Sequence, residues 1–449
     1  MDNDSKPSDF FYDVTEDDSK KASELFDWLS YKFIEHPYTD LHFNVSKPIY
    51  GRVGGMILPI LDPKVPHKIS YTLSKALFRE LLIRRSGVVD DADKGGELFT
   101  RRFMQERSGN FACAYSVDKG EVRFRVNAHF DQHGVGLSLR VLPDSIPPLK
   151  SLGFTEETYR IINQRAVGKT GLIILVGPVN SGKSTTMASF INEGNQKMIR
   201  KVLTLESPIE YIYKTFDPAD PENTMSYRSL VIQREIGVDC VSFTNGLKEA
   251  LRQDAQAILV GELLSEEEAH MALMAALTGH LVFCTVHATS AIDALSRIAS
   301  FFPPDRRTAA VATLSRVLSC VCFQMLLPTA IVKEGATKAM KASGGILAAE
   351  DVERAHSEEQ KAKAAGNSES RMASRCLAYE FLDGTPEVLR SISQWAETGD
   401  SNKMIQIESE MSIDGKGHCP FPRSLRRLQD EGKIDDQTFR FALETFKGI

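Results

Sequence analysis

In the middle of the chain, short apolar runs alternate with longer amphipathic stretches. The runs GLIILV, KVLTLE, AILVGE and LVFCTV predict buried strands, and helices are predicted at 183–197, 243–254 and 265–278. Ser265 and Glu268 stand three residues apart at the start of the last helix, a spacing that predicts a capping box. Strands joined by crossover helices form parallel sheets, so we expect an α/β domain with a parallel sheet.

The preceding part of the chain has a different rhythm. Residues 20–35 and 67–85 carry apolar positions at helical spacing, whereas 39–45 and 50–60 alternate like strands. NFACAYSV, VRFRVNAHF and GLSLRVLP then follow as three strands separated by short polar turns. Strands joined by short turns pair antiparallel, so we expect a small α/β domain with an antiparallel sheet. The proline-rich segment RVLPDSIPPLKSLG is expected to end this domain as a linker.

Changes in composition predict further boundaries. A helix at 290–301 is followed by PPDRR and by a second predicted helix that ends in FQMLLP. Residues 331–375 are rich in Ala, Lys and Glu without an apolar stripe, which favours a solvated insertion over a docking element. The predicted organisation is an acidic flexible tail at 1–24, an N-terminal domain at 25–143, a linker at 144–170, a parallel α/β core at 171–330, the insertion at 331–375 and a mainly helical C-terminal region at 376–449.

Composition is that of an ordinary globular protein, with 449 residues, 42% hydrophobic, 25% charged and a net charge of −6. This balance does not favour direct binding to nucleic acid, and we expect no membrane span because no apolar run approaches about 18 residues. The acidic N-terminus resembles neither a signal peptide nor a transit peptide. The seven cysteines include no C-x-x-C pair, which argues against a four-cysteine zinc module and favours reduced thiols in a cytosol.

One motif stands out where the first buried strand ends. The pattern G-x-x-x-x-G-K-S follows that strand and precedes a helix, the context in which backbone N–H groups wrap a phosphate. Lys183 is expected to reach the β- and γ-phosphates of ATP, and Ser184 to bind Mg²⁺. Asn180 stands where glycine is common, and Asn tolerates a positive φ better than most residues. The candidate nucleotide-binding residues are Gly177, Pro178, Val179, Asn180, Ser181, Gly182, Lys183, Ser184 and Thr185.

Three carboxylates are candidates for catalysis. Glu262 follows the buried strand AILVG, at the end of a strand where open α/β sheets bind their ligands. Glu206 ends the strand KVLTLE, and Glu210 lies just beyond it. Either of these two could polarise the attacking water, and each could also be an exposed loop carboxylate, so the sequence leaves the choice open.

Histidines and arginines complete the candidate set. His280 precedes and His287 follows the strand LVFCTV, which separates them too far to share a metal ion. His287 could contact the γ-phosphate or a carboxylate, whereas His280 could simply end a helix. Arg123 and Arg125 share one face of a strand and Arg140 lies on a neighbouring strand, forming either a solvated face or a set of phosphate-binding cations.

The motifs together resemble one family. The segments GPVNSGKSTT, TLESPIE, ALRQDAQAILVGE, TGHLVFCTVHATSA and FFPPDRR occur in the order and spacing of the secretion and type IV pilus ATPases. The resemblance is strongest to PilT-like retraction ATPases and to the DotB/TraJ-like ATPases of type IVB secretion and conjugation. It covers most of residues 25–449 outside the predicted insertion, and in it TDLHF and VRFRVNA are similar to the PAS-like N-terminal domain of that family.

The resemblance implies a PAS-like domain, a RecA-like P-loop core and a mainly helical C-terminal region. It implies a homo-hexameric Mg-ATPase in the cytoplasm, docked peripherally at the inner face of the cytoplasmic membrane on platform or secretion-complex proteins. Nucleotide-driven domain rotation would then power a type IV secretion, conjugation or pilus machine. By motif, the loop 177–185 matches Walker A and Glu262 matches Walker B, and Ser184 and Glu262 would hold Mg²⁺ through the nucleotide. Glu206 and Glu210 match the Asp box, and His280 and His287 match the His box. Arg125 and Arg140 match the arginines that the N-terminal domain of the family brings to the nucleotide.

Three departures from the family pattern keep alternatives open. Ser207 stands where an aspartate is usual, Leu263–Ser265 replaces a segment that usually contains Arg and Asp, and Met325 replaces a basic residue. These changes motivate a second hypothesis, a nucleotide-binding ring subunit or adaptor with little hydrolysis. A DNA-translocating motor is disfavoured by the acidic charge, and a P-loop kinase would not need the separate arginine-bearing domain.

Overall fold

The computed structural model describes residues 10–35, 38–53, 56–60, 62–85, 92–117, 120–329, 375–398, 403, 407 and 418–447. The chain divides into two compact units. The first consists of Met1–Ser145, Ser207–Ile212 and Glu235–Asp239, and the second of Ile146–Glu206, Tyr213–Arg234 and Cys240–Ile449. The predicted insertion at 331–375 lies outside the described residues except for its last position.

The first unit is built on an antiparallel sheet, as its alternating pattern predicts. Its strands run in the order β3-β2-β1-β6-β5-β4, and every neighbouring pair is antiparallel. Inward positions such as Phe124 and Val126 are fully buried, which leaves Arg123 and Arg125 on the opposite face. The elements are α1 (Glu16–Glu35), β1 (Asp40–Phe43), β2 (Tyr50–Val53), β3 (Met56–Pro59), α2 (Tyr71–Arg85), α3 (Ala92–Glu106), β4 (Ser108–Val117), β5 (Gly120–Asp131) and β6 (Gly134–Val141).

Residues 10–24 differ from the flexible tail expected over 1–24. Phe10 is buried, and its ring contacts those of Phe78, Phe103 and Phe130 at centroid distances of 5.9–6.3 Å. Helix α1 already begins at Glu16, where the acidic first turn suits the positive end of the helix dipole. The acidic composition therefore did not predict that Phe10 is buried in the core or that a helix begins at Glu16.

The second unit contains a seven-stranded sheet in the order β13-β12-β7-β11-β10-β8-β9. The pairs β12–β7, β7–β11, β11–β10 and β10–β8 are parallel, as predicted, and β12–β13 is antiparallel. Its strands are β7 (Gly171–Val176), β8 (Lys201–Glu206), β9 (Leu230–Glu235), β10 (Ala257–Val260), β11 (Leu281–Val286), β12 (Leu318–Pro328) and β13 (Arg375–Asp383). Its helices are α4 (Glu156–Ala166), α5 (Lys183–Lys197), α6 (Pro221–Thr224), α7 (Phe243–Ala250), α8 (Glu266–Leu277), α9 (Ala291–Ser300), α10 (Pro304–Val317), α11 (Pro386–Thr398), α12 (Phe421–Asp430) and α13 (Asp436–Lys447).

Two segments of the second unit differ from expectation. Most of the predicted linker at 144–170 belongs to this unit. The segment contains α4, and its Pro147 O accepts a hydrogen bond from the hydroxyl of Ser189 on α5 at 2.7 Å. The segment FQMLLP is the end of strand β12, and the helix before it ends at Val317. Nearly every residue of β12 is buried, and an apolar run without alternation does not distinguish a buried strand from a buried helix.

The core of this sheet also holds three cysteines. Cys284, Cys320 and Cys322 lie on β11 and β12 and are fully buried. Burial raises the pKa of each thiol above its usual range.

None of the helices among the described residues is long and apolar enough to cross a membrane.

Replacement of Phe10 by alanine tests whether the N-terminal segment is part of the core. We expect Phe10→Ala to lower the free energy of unfolding by about 3 kcal/mol, because it removes a buried ring from an aromatic cluster. The measurement is urea unfolding followed by Trp28 fluorescence, with Trp395, the other tryptophan, replaced by phenylalanine. Tyr12→Ala is the control, since that ring is 83% exposed and contacts the Lys75 ammonium by a weak cation–π interaction worth about 1 kcal/mol or less. Equal stability of the two variants would mean that Phe10 does not anchor the segment.

Candidate functional site

The candidate residues of the second unit collect at one edge of its sheet. Strands β7, β11, β10 and β8 are consecutive neighbours and are all parallel, so their carboxyl ends face the same way. The glycine-rich loop leaves β7, His287 follows β11, Glu262 follows β10 and Glu206 ends β8. Four segments that are distant in sequence are thereby brought to the edge at which open α/β sheets bind ligands.

The loop between β7 and α5 has the backbone of a phosphate-binding turn. Gly177, Asn180 and Gly182 have φ values of 148°, 63° and 88°, in the region that glycine adopts readily. Asn180 thus takes the positive φ that its residue type predicts. Helix α5 begins at Lys183, so the positive end of its dipole adjoins the loop.

Lys183 bonds to its own loop in this structure. Its ammonium donates to the carbonyl oxygens of Gly177 and Pro178 at 2.7 and 2.8 Å. Main-chain carbonyls are neutral acceptors, and charged phosphate oxygens form stronger hydrogen bonds with an ammonium group. The lysine is therefore held next to the loop by contacts that an anion can replace.

Glu262 and His287 form a pair across two neighbouring strand ends. The distance from Glu262 Oε1 to His287 Nε2 is 2.8 Å, and both side chains remain partly exposed. Behind them, the hydroxyl of Thr285 donates to Gly261 O at 2.6 Å and ties β11 to the residue before Glu262. The alternative by which His287 contacts a carboxylate is thus the arrangement observed.

Glu206 accepts hydrogen bonds from two residues outside the predicted set of site residues. Its Oε1 accepts hydrogen bonds from the Thr204 hydroxyl at 2.6 Å and from Gln233 Nε2 at 3.1 Å. Gln233 lies on β9, which neighbours β8 in the sheet. The available signal was the Gln-Arg-Glu run that ends β9 after three apolar residues.

His280 lies at the other end of β11 from the strand ends that carry the candidate site. Its carbonyl oxygen accepts from the N–H of Gly171, which begins β7, whereas the loop leaves the end of that strand. Its Nδ1 lies 3.0 Å from Ala275 O, at the carboxyl end of α8. A helix-terminus histidine, the structural alternative for this position, describes its contacts.

The arginines of the first unit are engaged by carboxylates and carbonyls. Arg125 and Arg140 are direct cross-strand partners on β5 and β6. Arg125 bonds to the carboxylate of Glu210 at 3.2 Å, and Arg140 bonds to that of Asp40 at 2.8 Å. Arg123 donates to Ile209 O and Glu210 O, both at 2.9 Å. Two adjacent cations are thus each balanced by a carboxylate within the same unit.

The two glutamates of TLESPIE therefore have different surroundings. Glu206 accepts from side chains of the second unit, whereas Glu210 belongs to the first unit and is bound there by Arg125. In addition, the N–H of Ile209 donates to the buried carboxylate of Glu235 at 3.2 Å. The backbone of Ile209, next to Glu210, is thus held through both its N–H and its C=O.

The segment after Glu262 is ordered without the usual Arg and Asp. Leu263 is buried and its N–H donates to Thr285 O at 3.0 Å. Ser265 and Glu268 form both bonds of a capping box at the start of α8, as their spacing predicts. Glu266 pairs with Arg306 at 2.8 Å. A cap and an ion pair therefore hold this turn in place.

Comparison with known proteins gives consistent matches. A family model described as type II/IV secretion system protein matches residues 105–418. The type IV pilus ATPase PilU of Pseudomonas aeruginosa is 34% identical over 304 residues, which cover 68% of this chain and 70% of that protein. The crystal structure of the pilus retraction motor PilT with bound ADP has a TM-score of 0.67 at 28% identity, covering 92% of this chain and 95% of the other.

A second solved structure supports the fold. The X-ray structure of the Legionella pneumophila ATPase DotB has a TM-score of 0.65 at 20% identity and covers 93% of this chain and 95% of that one. The predicted fold class is confirmed, and so is the resemblance to secretion and pilus ATPases.

Removal of the cap at Ser265 tests whether it orders the turn after Glu262. We expect Ser265→Ala to cost about 1 kcal/mol, because the N–H of Glu268 loses its acceptor. In a unit of this size the melting temperature should fall by about 2–4 °C in a thermal unfolding scan. Ser265→Thr retains a capping hydroxyl and should melt close to the unsubstituted protein. An alanine variant that is as stable as the threonine variant would contradict this role.

Proposed function

We propose that this chain, which belongs to the type II/IV secretion system protein family and is an ATPase, binds Mg-ATP at the loop 177–185 and spends it on mechanical work in a pilus or secretion machine. The observation that carries the site assignment is the convergence of this loop, the Glu262–His287 pair and Glu206 at the carboxyl ends of neighbouring parallel strands. It combines a cradle for phosphate with two carboxylates, which are the parts that ATP hydrolysis requires.

The loop is proposed to bind the phosphates through its backbone and through Lys183. The first-turn N–H groups of α5 and the helix dipole favour negative charge at this point. Phosphate oxygens would replace the carbonyls of Gly177 and Pro178 as acceptors for the Lys183 ammonium. The lysine would then neutralise charge on the β- and γ-phosphates.

Residues suited to Mg²⁺ lie beside the loop. Ser184 stands in the first turn of α5 and offers a hydroxyl oxygen, and Glu262 offers a carboxylate, which are the oxygen donors that Mg²⁺ prefers. These two side chains would hold the ion together with the phosphates of the nucleotide. Bound Mg²⁺ would supply positive charge to the phosphoryl group as it transfers.

Glu262 is the proposed group that positions the attacking water. His287 is proposed to orient the Glu262 carboxylate. The 2.8 Å contact with His287 Nε2 limits the rotamers that Glu262 can take. Glu206, whose Oε1 already accepts two hydrogen bonds, is proposed to add negative charge and a second acceptor at the same edge. Glu210 is assigned no contact with water, because Arg125 engages its carboxylate in the first unit.

The mechanical part of the proposal concerns the first unit. We assign Arg125 and Arg140 the role of carrying positive charge to the nucleotide, in competition with Glu210 and Asp40. Nucleotide binding and release would then exchange ion pairs and rotate one unit against the other. The chain is proposed to act as a cytoplasmic homo-hexamer docked on membrane-embedded proteins of a type IV pilus, secretion or conjugation machine. Support comes from relatives named a pilus ATPase and a retraction motor.

The first test is Mg-ATPase activity of size-separated protein, measured for the unsubstituted chain, Glu262→Gln and Lys183→Ala. We expect turnover in a hexamer-sized fraction, a decrease of about 100-fold or more for Glu262→Gln because a neutral amide cannot act as a base towards the water, and loss of nucleotide binding for Lys183→Ala. Glu157→Gln, an exposed glutamate on α4, is the matched control. A ring that binds ATP but turns over no faster than Glu262→Gln would favour the adaptor hypothesis instead.

The arginine role is tested separately with Arg125→Ala and Arg140→Ala. Each should lower kcat by about 100-fold or more, because charge that develops on the phosphoryl group loses its counter-ion. Arg101→Ala removes an exposed arginine of α3 and should leave kcat unchanged. Melting temperatures are recorded for all three, so that a folding defect is distinguished from a catalytic one. Normal kcat in both variants would remove these arginines from the mechanism.

A further inference from the structure

Gln324 is a buried polar residue placed directly behind the glycine-rich loop. It lies on β12, which pairs parallel with β7 up to the partners Phe323 and Val176. Strand β7 ends there and the loop begins, whereas β12 continues for several residues. Gln324, the next residue of β12, therefore lies beside Gly177, the first glycine of the loop, and it is only 1% exposed.

Both the side chain and the backbone of Gln324 contact the loop. Its Nε2 donates to the carbonyl oxygen of Ser181 at 2.8 Å. A Cβ atom built on Gly177 would lie 2.3 Å from Gln324 O, and one built on Gly182 would lie 3.1 Å from Gln324 Nε2. One residue thus packs against the glycines at both ends of the turn.

The hydrogen bond from Gln324 fixes the direction of one peptide group. In a trans peptide the C=O and the following N–H lie in one plane and point in opposite directions. Because the carbonyl of Ser181 is turned towards Gln324, the N–H of Gly182 must point away from β12. A loop of this kind binds phosphate through its N–H groups, so the orientation of this peptide decides whether that donor is available to an anion.

The burial of an amide at this position carries a cost in stability. Gln324 Oε1 and Ser181 Oγ are both buried and have no hydrogen-bond partner among the described residues. A buried polar atom without a partner destabilises the folded state. Packing alone would therefore favour an apolar residue, as at the neighbouring positions Phe323 and Met325, which are both buried.

We infer that Gln324 is a positioning residue that presents the Gly182 N–H to the β-phosphate of the nucleotide. The inference rests on the proposed role of the loop in binding nucleotide. Its consequence is specific: loss of the amide should weaken binding of nucleotides that possess a β-phosphate and should leave binding of AMP almost unchanged.

The test compares full-length Gln324→Met with the unsubstituted chain. Methionine retains the length and volume of glutamine but has no donor. We expect the Kd of ADP to rise by about tenfold, consistent with the loss of one well-placed donor, and the Kd of AMP to change by less than about twofold, since AMP has no β-phosphate. The melting temperature should change by no more than a few degrees, because the loss of the bond to Ser181 O and the removal of the unpartnered Oε1 have opposite effects. Binding is measured by titration with ADP and by competition with AMP.

Two further variants separate this inference from the alternatives. Gln324→Glu retains the shape but turns a carboxylate oxygen towards Ser181 O, and should weaken ADP binding more than methionine does. Met325→Leu alters a buried neighbour without a polar atom and should leave both affinities unchanged. Unchanged ADP affinity in Gln324→Met would overturn the inference, as would equal losses for ADP and AMP with a lower melting temperature, which would indicate a packing role.

The proposed function itself is judged from other arms of the same experiment. If the unsubstituted chain does not bind ADP, or if Lys183→Ala binds it equally well, the assignment of the loop fails. If Lys183→Ala loses binding while Gln324→Met retains it, only the role of Gln324 fails.

Discussion

The parallel register of β7, β11, β10 and β8 determines where every candidate catalytic group of the second unit lies. Strand β10 is paired on both sides, with Val260 level with Cys284 of β11 and Leu205 of β8. Both β10 and β11 are buried along their whole length, so a register shift would expose apolar residues and bury polar ones. The burial of the strands therefore aligns Glu206, Glu262 and His287 without any contact among their own side chains being needed.

The same register explains why neighbouring sequence positions have different functions. Glu206 and Glu210 are four residues apart and look alike as acidic residues, yet one ends a strand and the other has left it. Glu206 is bound by donors on the neighbouring strands β8 and β9 of the second unit, and Glu210 is bound by Arg125 within the first unit. A glutamate held by neutral donors keeps its charge available, whereas one paired with a guanidinium has that charge largely neutralised. Glu206 and Glu210, two glutamates of one acidic motif, therefore have different electrostatic roles.

Much of the site is readable from the sequence because it depends on local rules. The apolar runs predict β7, β8, β10 and β11, the residue type of Asn180 predicts its positive φ, and the spacing of Ser265 and Glu268 predicts the cap. What the sequence does not reveal depends on tertiary contacts. Strand β12 was mistaken for a helix because burial on both faces removes the alternation that marks a strand.

Other omissions have the same origin. Phe10 lies in an acidic, polar stretch, and only the rings of Phe78 and Phe103 make it part of a core. Gln233 and Gln324 are single amides in strands, and their importance depends on which loop or carboxylate the fold places opposite them. Residue type and spacing carry no information about such long-range partners, which are separated from these residues by 27 and 143 positions.

The buried thiols of β11 and β12 have a practical consequence for how the core can be followed in solution. Alkylation and disulfide exchange proceed through the thiolate, and burial keeps Cys284, Cys320 and Cys322 protonated and out of reach. In the folded chain these sulfurs are chemically silent, and they gain both access and acidity when the strands separate. Their rate of modification therefore reports the opening of the central sheet itself, using only residues that the chain already possesses.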